Sequence, residues 1–324
     1  MNKTVAKTAL TLALSAVMFV NGAAQQIKVD KDLPVYQKKT GVSGSLNSVG
    51  SDTMNNLLKF WAEAFRKLYP GVTVQVEGKG SSTAPPALVE GVAQLGPMSR
   101  ELKSSEIDAF EKKYGFKPTT IRTSLDALAI YVNKDNPLDS ISFDKLDAIF
   151  SVTRKHGHAT DITKWGDLEL TGAWASGPIS LYGRNSASGT YGYFKEHALG
   201  KGDFKTQVKE QPGSASVVEG VNGDRFGIGY SGIGYTTSGV KMLKLAEKAG
   251  APAVEPSFEN VANGSYPLAR YLYITVVKDP NKPLDPLVKE FLTFALSMEG
   301  QEIVVKTGYM PITAAVAKKE LGKL

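Results

Sequence analysis

Apolar positions along this chain follow two alternating rhythms, one with a period of two and one near 3.6. "LNSVGS" (46–51) reads as a short strand entering a turn. In the next segment Leu57, Leu58, Trp61, Phe65 and Leu68 recur at helical spacing behind Ser51 or Asp52 as the cap. "VTVQVEG" (72–78) alternates as a strand, and "GSSTAPPALVEGVAQLG" (80–96) turns into a helix starting near Pro85 or Pro86. "LDALAIYVN" (125–133) is an apolar strand and "SFDKLDAIF" (142–150) a short amphipathic helix. "ISLYG" (179–183) is a strand, "FGIGYSGIGY" (226–235) is strand-like with glycine punctuation, and "YPLARYLYITVV" (266–277) is a second strongly apolar strand. Two helices, 285–298 and 299–306, are predicted near the end.

Strands alternating with helices indicate an α/β fold with parallel pairing. The two long apolar strands bracket a central block, which implies two α/β lobes with the second inserted into the first. Residues 45–124 plus 266–324 form the first lobe and 125–265 the second, the two chain crossings serving as a hinge beside a cleft. A length of 324 residues suits two such cores.

The first residues change the picture of where this fold works. Lys3 and Lys7 precede an apolar run, Thr8 to Val20, and the small residues of "NGAA" follow. This is the pattern of a secretory signal over 1–24, cleaved after Ala23 or Ala24. The run falls short of the roughly 20 apolar residues needed to span a bilayer. Residues 25–44 are polar and irregular, an arm rather than a folding unit. The cysteine count is 0, so the exported fold relies on its cores and lacks the cysteine of a lipid-anchored lipoprotein. A free soluble protein in a periplasm, or outside the cell, is expected.

Net charge is +6, of which Lys3 and Lys7 carry two, leaving +4 after cleavage. That balance favours anionic ligands. No basic cluster with interleaved aromatics exists, so nucleic acid is not an expected partner. "RKHGH" (154–158), the densest positive run, reads as a solvated loop.

Three segments share one design, a strand, then glycine with small hydroxyl residues, then a helix start: "VGSDT" (49–53), "GKGSSTAPP" (78–86) and "GRNSASGTYG" (183–192). The first N–H groups of a helix lack partners and sit at the positive end of its dipole, so each turn can stabilise an anion. Glycine lets the backbone approach, hydroxyls add donors, and Arg184 adds a fork suited to a tetrahedral oxyanion. One such turn is usually a helix cap; three, spread over both lobes, describe a cleft built for an anion.

Enzymatic readings fare worse. A serine hydrolase needs a base oriented by a carboxylate near its nucleophile. The histidines are His156 and His158, in a polar loop, and His197, nine residues past Ser188. No G-x-S-x-G elbow surrounds Ser188 or Ser231. "HGH" lacks a third metal ligand nearby, and neither a metal nor a cofactor is expected. "EGKGSST" misplaces the first glycine of a Walker sequence, and "GIGYSG" (227–232) matches a dinucleotide fingerprint without the strand before it or the helix after it.

Together "VGSDT", "GSSTAPPALVEGVAQLGPMSR", "LDALAIYVNKDNP", "ITKWGDL", "GRNSASGTYGYF" and "GIGYSGIGY" resemble the phosphate-binding periplasmic component of phosphate ABC transporters. The likeness runs from about residue 45 to the end, and R-x-x-x-S-G-T is its most specific element. It implies a type II periplasmic binding protein fold with two hinge strands, closing over one dehydrated inorganic phosphate and delivering it to membrane permease subunits, as a monomer. The implied phosphate ligands are Ser51, Asp52, Thr53 and Ser81 from the first lobe, with Ser82, Ser99 and Arg100 beside them. Arg184, Ser188, Gly189 and Thr190 come from the second. Ser99 stands where many members carry an aspartate, and Ser186 where many carry an acid. Sulfate, an organophosphate, or a serine-dependent phosphatase or esterase activity at Ser188 are the alternatives.

Overall fold

A computed structural model describes residues 27–324; the expected signal segment lies outside them. The strands of the first half are β1 (Gly44–Gly50), β2 (Val72–Gly78), β3 (Gly96–Met98), β4 (Thr119–Asn133) and β5 (Ser140–Ser142). The second half adds β6 (Ser180–Arg184), β7 (Lys209–Gln211), β8 (Gly227–Gly232), β9 (Val240–Met242), β10 (Lys244–Ala246) and β11 (Ala269–Val276). Helices are α1 (Asn55–Leu68), α2 (Ala84–Val89), α3 (Ser104–Tyr114), α4 (Phe143–Phe150) and α5 (Gly189–His197). After these come α6 (Ser214–Gly223), α7 (Phe258–Ala262), α8 (Pro286–Ala295), α9 (Met298–Lys306) and α10 (Ala314–Leu321).

The main sheet runs β3-β11-β4-β8-β6-β7, with β9 also paired to β4. It is mixed rather than all parallel: β4 is antiparallel to both β11 and β8, while β6 is parallel to β7 and β8. The chain leaves one core along β4 and returns along β11, so these neighbours must run in opposite directions. One core gathers Leu57, Trp61 and Phe65 of α1 with Ile121, Leu272, Ile274, Phe291 and Val304. The other gathers Leu128, Ile130, Phe150, Trp165, Phe194, Ile228 and Tyr230. Strand β4 feeds both, through Ile121 at one end and Leu128 to Val132 at the other.

Between those ends β4 bulges. Leu272 faces Ser124 and Tyr273 faces Arg122, leaving Thr123 as the extra residue. Its hydroxyl donates to Leu272 O at 3.1 Å, and its carbonyl accepts from Gln301 Nε2 at 3.0 Å. A bulge adds twist, here where the strand passes from one core to the other.

The helices differ from the sequence pattern in instructive places. A 3-10 turn, Ser81–Thr83, precedes α2, so the helical path starts before the two prolines, which occupy its first turn. Helices α3 and α10 were not predicted because their apolar stripes are thin: α3 buries only Phe110, and α10 only Ala317 and Glu320. "GIGYSG" is the fully buried strand β8, followed by a 3-10 turn.

The arm lies against the first core. Leu33 is 3% exposed, and Asp30 accepts from the Ala314 N–H at the start of α10. The Tyr36 hydroxyl donates to the buried Glu290 carboxylate at 2.6 Å and meets the Tyr69 hydroxyl at 2.6 Å. Burial, together with the Glu290 charge, raises the Tyr36 phenol well above its ordinary range. Removing a hydrogen bond to a buried carboxylate costs about 1.5–3 kcal/mol. Tyr36→Phe is therefore expected to lower the urea midpoint by that stability without changing the m-value; an unchanged midpoint would show that the arm merely rests on the lobe.

Candidate functional site

The three glycine-hydroxyl turns meet between the two cores. The first, residues 51–53, is pinned by its backbone: Ser51 N–H donates to Pro97 O at 2.8 Å. The Tyr235 hydroxyl donates to Asp52 O at 2.9 Å and the Tyr309 hydroxyl to Thr53 O at 2.6 Å. The second turn begins at Gly80, whose φ of +113° and closeness to Ala187 suit glycine: a Cβ there would stand 2.5 Å from the Ala187 carbonyl. The neighbouring Ser82 N–H donates to that carbonyl at 3.0 Å, a direct backbone bond between lobes. In the third turn Ser188 caps α5, its hydroxyl accepting from Thr190 N–H at 3.1 Å and Tyr191 N–H at 3.3 Å.

Side chains from the three turns then touch one another. Thr53 and Thr190 hydroxyls lie 2.8 Å apart across the interlobe gap. Ser81 and Ser99 hydroxyls are 3.2 Å apart, and Ser81 Oγ accepts from the Ser99 N–H at 3.0 Å. Gly189 packs so closely on this pair that a Cβ would lie 2.2 Å from Ser81 Oγ and 2.6 Å from Ser99 Oγ.

Arg184, the last residue of β6, is 1% exposed. Its Nη1 donates to Ser214 Oγ at 2.8 Å and lies 3.2 Å from Asp52 Oδ2; its Nη2 reaches Pro212 O at 3.3 Å. Burial depresses the guanidinium pKa, and the Asp52 carboxylate pulls against it. Arg184 Nε and Ser51 Oγ are buried with no partner among the described residues, the kind of orphan that needs a ligand or an explanation.

Asp52 differs from its expected capping role. The residue preceding α1 is Met54, with no side-chain cap, and Asp52 Oδ2 instead accepts from Ser214 N–H at 2.7 Å, at the start of α6 in the other lobe. A helix N-terminus and a buried guanidinium together draw the carboxylate across the gap. Arg100 is held by Glu106 through bonds of 2.8 and 2.6 Å, with Ser82 Oγ accepting from it at 3.1 Å. Those two residues sit beside the cluster, and the Arg100 charge is balanced by its neighbour.

Comparison with known proteins identifies the family. The model of the PBP superfamily domain matches residues 36–299. The chain is 56% identical to the phosphate-binding protein PstS of Pseudomonas aeruginosa, over 97% of this chain and 98% of that one. The chain belongs to the PstS family. It is also 30% identical to protein SphX of Synechococcus elongatus, covering 82% of this chain and 77% of that protein. Among solved structures, a candidate phosphate ABC transporter substrate-binding protein of Clostridium perfringens, with bound phosphate, superposes with a TM-score of 0.70 at 27% identity, over 83% of this chain and all of that one.

Two residues of this PstS-type cleft escaped the motif reading. Arg270 of β11 and Asp126 of β4 are direct cross-strand partners, bonded at 2.9 Å through Nε and 2.7 Å through Nη2. Each is the single charge of an apolar run, Asp126 in "LDALAIYVN" and Arg270 in "YPLARYLYITVV", and such a charge must find a partner when buried. That was the available signal. Ser214 escaped too, because nothing in "PGSAS" distinguishes it from an ordinary helix start.

Close packing at Gly189 yields a test. Gly189→Ala should leave both cores folded while preventing the turns from meeting, so amide hydrogen exchange should speed up at Ser82 and Ser214, whose N–H groups bond across the gap, and stay slow in β4 and β8. Unchanged protection at Ser82 and Ser214 would mean that the turns accommodate a side chain.

Proposed function

We propose that this chain binds inorganic phosphate between its two lobes in the periplasm and delivers it to the permease of a phosphate ABC importer. The observation that carries the reading is the buried interlobe cluster in which Arg184 Nε and Ser51 Oγ have no partner among the described residues. Hydroxyls of Ser51, Thr53, Ser81, Ser99, Ser188 and Thr190 supply the remaining donors, with the close backbone of Gly189. The lobes are 45–124 plus 266–324 and 125–265, and a leader over 1–24 directs export of a monomer. No helix among the described residues is long and apolar enough to cross a membrane.

The charge around the cluster is balanced, Arg184 by Asp52 and Arg270 by Asp126. Phosphate is therefore met chiefly by oriented donors, with little excess charge to hold it after the lobes open. The chain binds rather than hydrolyses. Ser188 serves as a helix cap, and the nine residues of α5 place His197 about 13 Å of helical rise away, out of reach as a base.

Phosphate near neutral pH carries a proton and sulfate does not. A buried acceptor facing that proton is satisfied by phosphate and meets a lone pair of sulfate. Ser99 cannot fill that place as a carboxylate would; of the two carboxylates at the cluster, Asp126 is taken up by Arg270 and the Ile233 N–H, which leaves Asp52. Its Oδ2 already accepts from Ser214 N–H and lies against Arg184, leaving Oδ1 for the ligand's proton.

Three measurements check this reading. Radiolabelled phosphate should be retained without turnover of a chromogenic phosphate ester; hydrolysis that disappears in Ser188→Ala would replace the binding reading with an enzymatic one. A charge-assisted bond contributes about 1.5–3 kcal/mol, so Arg184→Ala should weaken phosphate binding roughly tenfold or more by calorimetry. Unchanged affinity would place the anion elsewhere. Asp52→Asn should lower phosphate affinity and narrow the preference over sulfate in competition binding, because an amide can turn a donor toward the ligand; an intact preference would limit Asp52 to tying α6 to the first lobe.

A further inference from the structure

The Arg270–Asp126 pair sits where both hinge strands and both lobes converge. Arg270 donates to Asp126 through Nε and Nη2, to Ser99 O through Nη1 at 2.9 Å, and to Thr190 Oγ1 through Nη2 at 2.9 Å. Asp126 is fully buried, and its Oδ1 accepts from Ile233 N–H at 3.1 Å. The packing leaves no slack: a Cβ on Gly232 would lie 3.2 Å from both Asp126 oxygens, and the Arg270 guanidinium lies over the Tyr193 ring of α5, 5.2 Å from its centroid. Among these partners, Ser99 directly follows the first-lobe strand β3, Thr190 and Tyr193 lie on helix α5 of the second lobe, and Asp126 lies on the neighbouring hinge strand.

A hydroxyl has one proton to give and two lone pairs with which to accept. Arg270 has only protons to give, so Thr190 Oγ1 must accept from it. The Thr190 proton is then free to point away from the hinge, toward Thr53 Oγ1 or toward an anion beside it. Asp126 offsets the charge of Arg270, so the arginine acts through geometry more than through field strength.

We infer that Arg270, held in place by Asp126, is a positioning residue that fixes the Thr190 hydroxyl as a donor to the bound anion and joins the hinge to closure of the cleft. It rests on the phosphate-binding reading given above. Binding affinity then depends on a residue outside the turn motifs, through a fork that a flexible ammonium cannot reproduce: lysine can reach Asp126, or Ser99, or Thr190, but not all three in one plane.

A double-mutant cycle with inorganic phosphate, read by calorimetry, tests this. Arg270→Lys should weaken binding by about tenfold in the otherwise unchanged chain. In a Thr190→Val background, which has no hydroxyl to orient, the same change should cost less than about twofold more. In Thr190→Ser, which keeps a hydroxyl, the full loss should return. Equal losses in all three backgrounds would overturn the assignment and leave the pair as a structural tie. Absence of phosphate binding by the unaltered chain would overturn the functional reading and this one with it. If Arg270→Lys does not fold, a crystal structure of the phosphate complex decides: Thr190 Oγ1 should lie within hydrogen-bond distance of both Arg270 Nη2 and a phosphate oxygen, and loss of either contact refutes the proposal.

Discussion

Taking an anion out of water between two separately folded cores is costly unless both cores deliver their donors to one point at one moment. Much of this architecture answers that constraint. The proposed donors stand on short turns at the ends of buried elements, and the backbone of each turn is held by hydrogen bonds. Tyr235 and Tyr309 hold the carbonyls of the first turn, a Ser82–Ala187 bond ties the second to the third, and Ser188 caps the helix that carries Gly189 and Thr190. Glycines at 80 and 189 bring the turns closer than any side chain would allow.

Joining the cores by two antiparallel strands gives that closure a defined axis. Strand β4 enters one core with Ile121 and the other with Leu128, and the bulge at Thr123 sets its twist in between. The cross-strand pair of Asp126 and Arg270 lies just beyond the bulge, where cost and specificity meet. A buried ion pair is weak support for stability, yet breaking one is severe, so such a pair suits a site where geometry must be unique. Across the gap Asp52 does related work with Arg184 and the start of α6, so that each lobe keeps a buried charge answered by the other or by the hinge.

Much of this was legible in the order of residues, and the parts that were not share a physical reason. Amphipathic spacing identified α1 and the apolar runs identified the two crossing strands, because burial on that scale leaves a strong pattern. The turn motifs pointed to Ser81, Arg184 and Thr190, which the fold buries in one interlobe cluster, because three turns of glycine and hydroxyls spread over both lobes exceed what helix capping requires. Parallel pairing held for β6 with β7 and β8, but the antiparallel pairing of β4 with β11 and β8 was missed, since alternation of element types says nothing about which neighbour a strand takes. Helix α3 was missed because it buries one aromatic residue. The pairing of Arg184 with Asp52, 132 positions away in the chain, followed only from assigning both to one anion, since no local pattern specifies a contact across a cleft. The lone charges in "SLDALAIYVN" and "YPLARYLYITVV" were visible, but their pairing follows from a register that only the folded sheet sets.

The central claim is that one phosphate is held jointly by two lobes that close on it. Small-angle scattering of the chain with and without saturating phosphate tests this most directly. The radius of gyration should fall when phosphate is added and return when it is removed. Superimposable profiles, in a sample that calorimetry shows to be binding phosphate, would contradict the account.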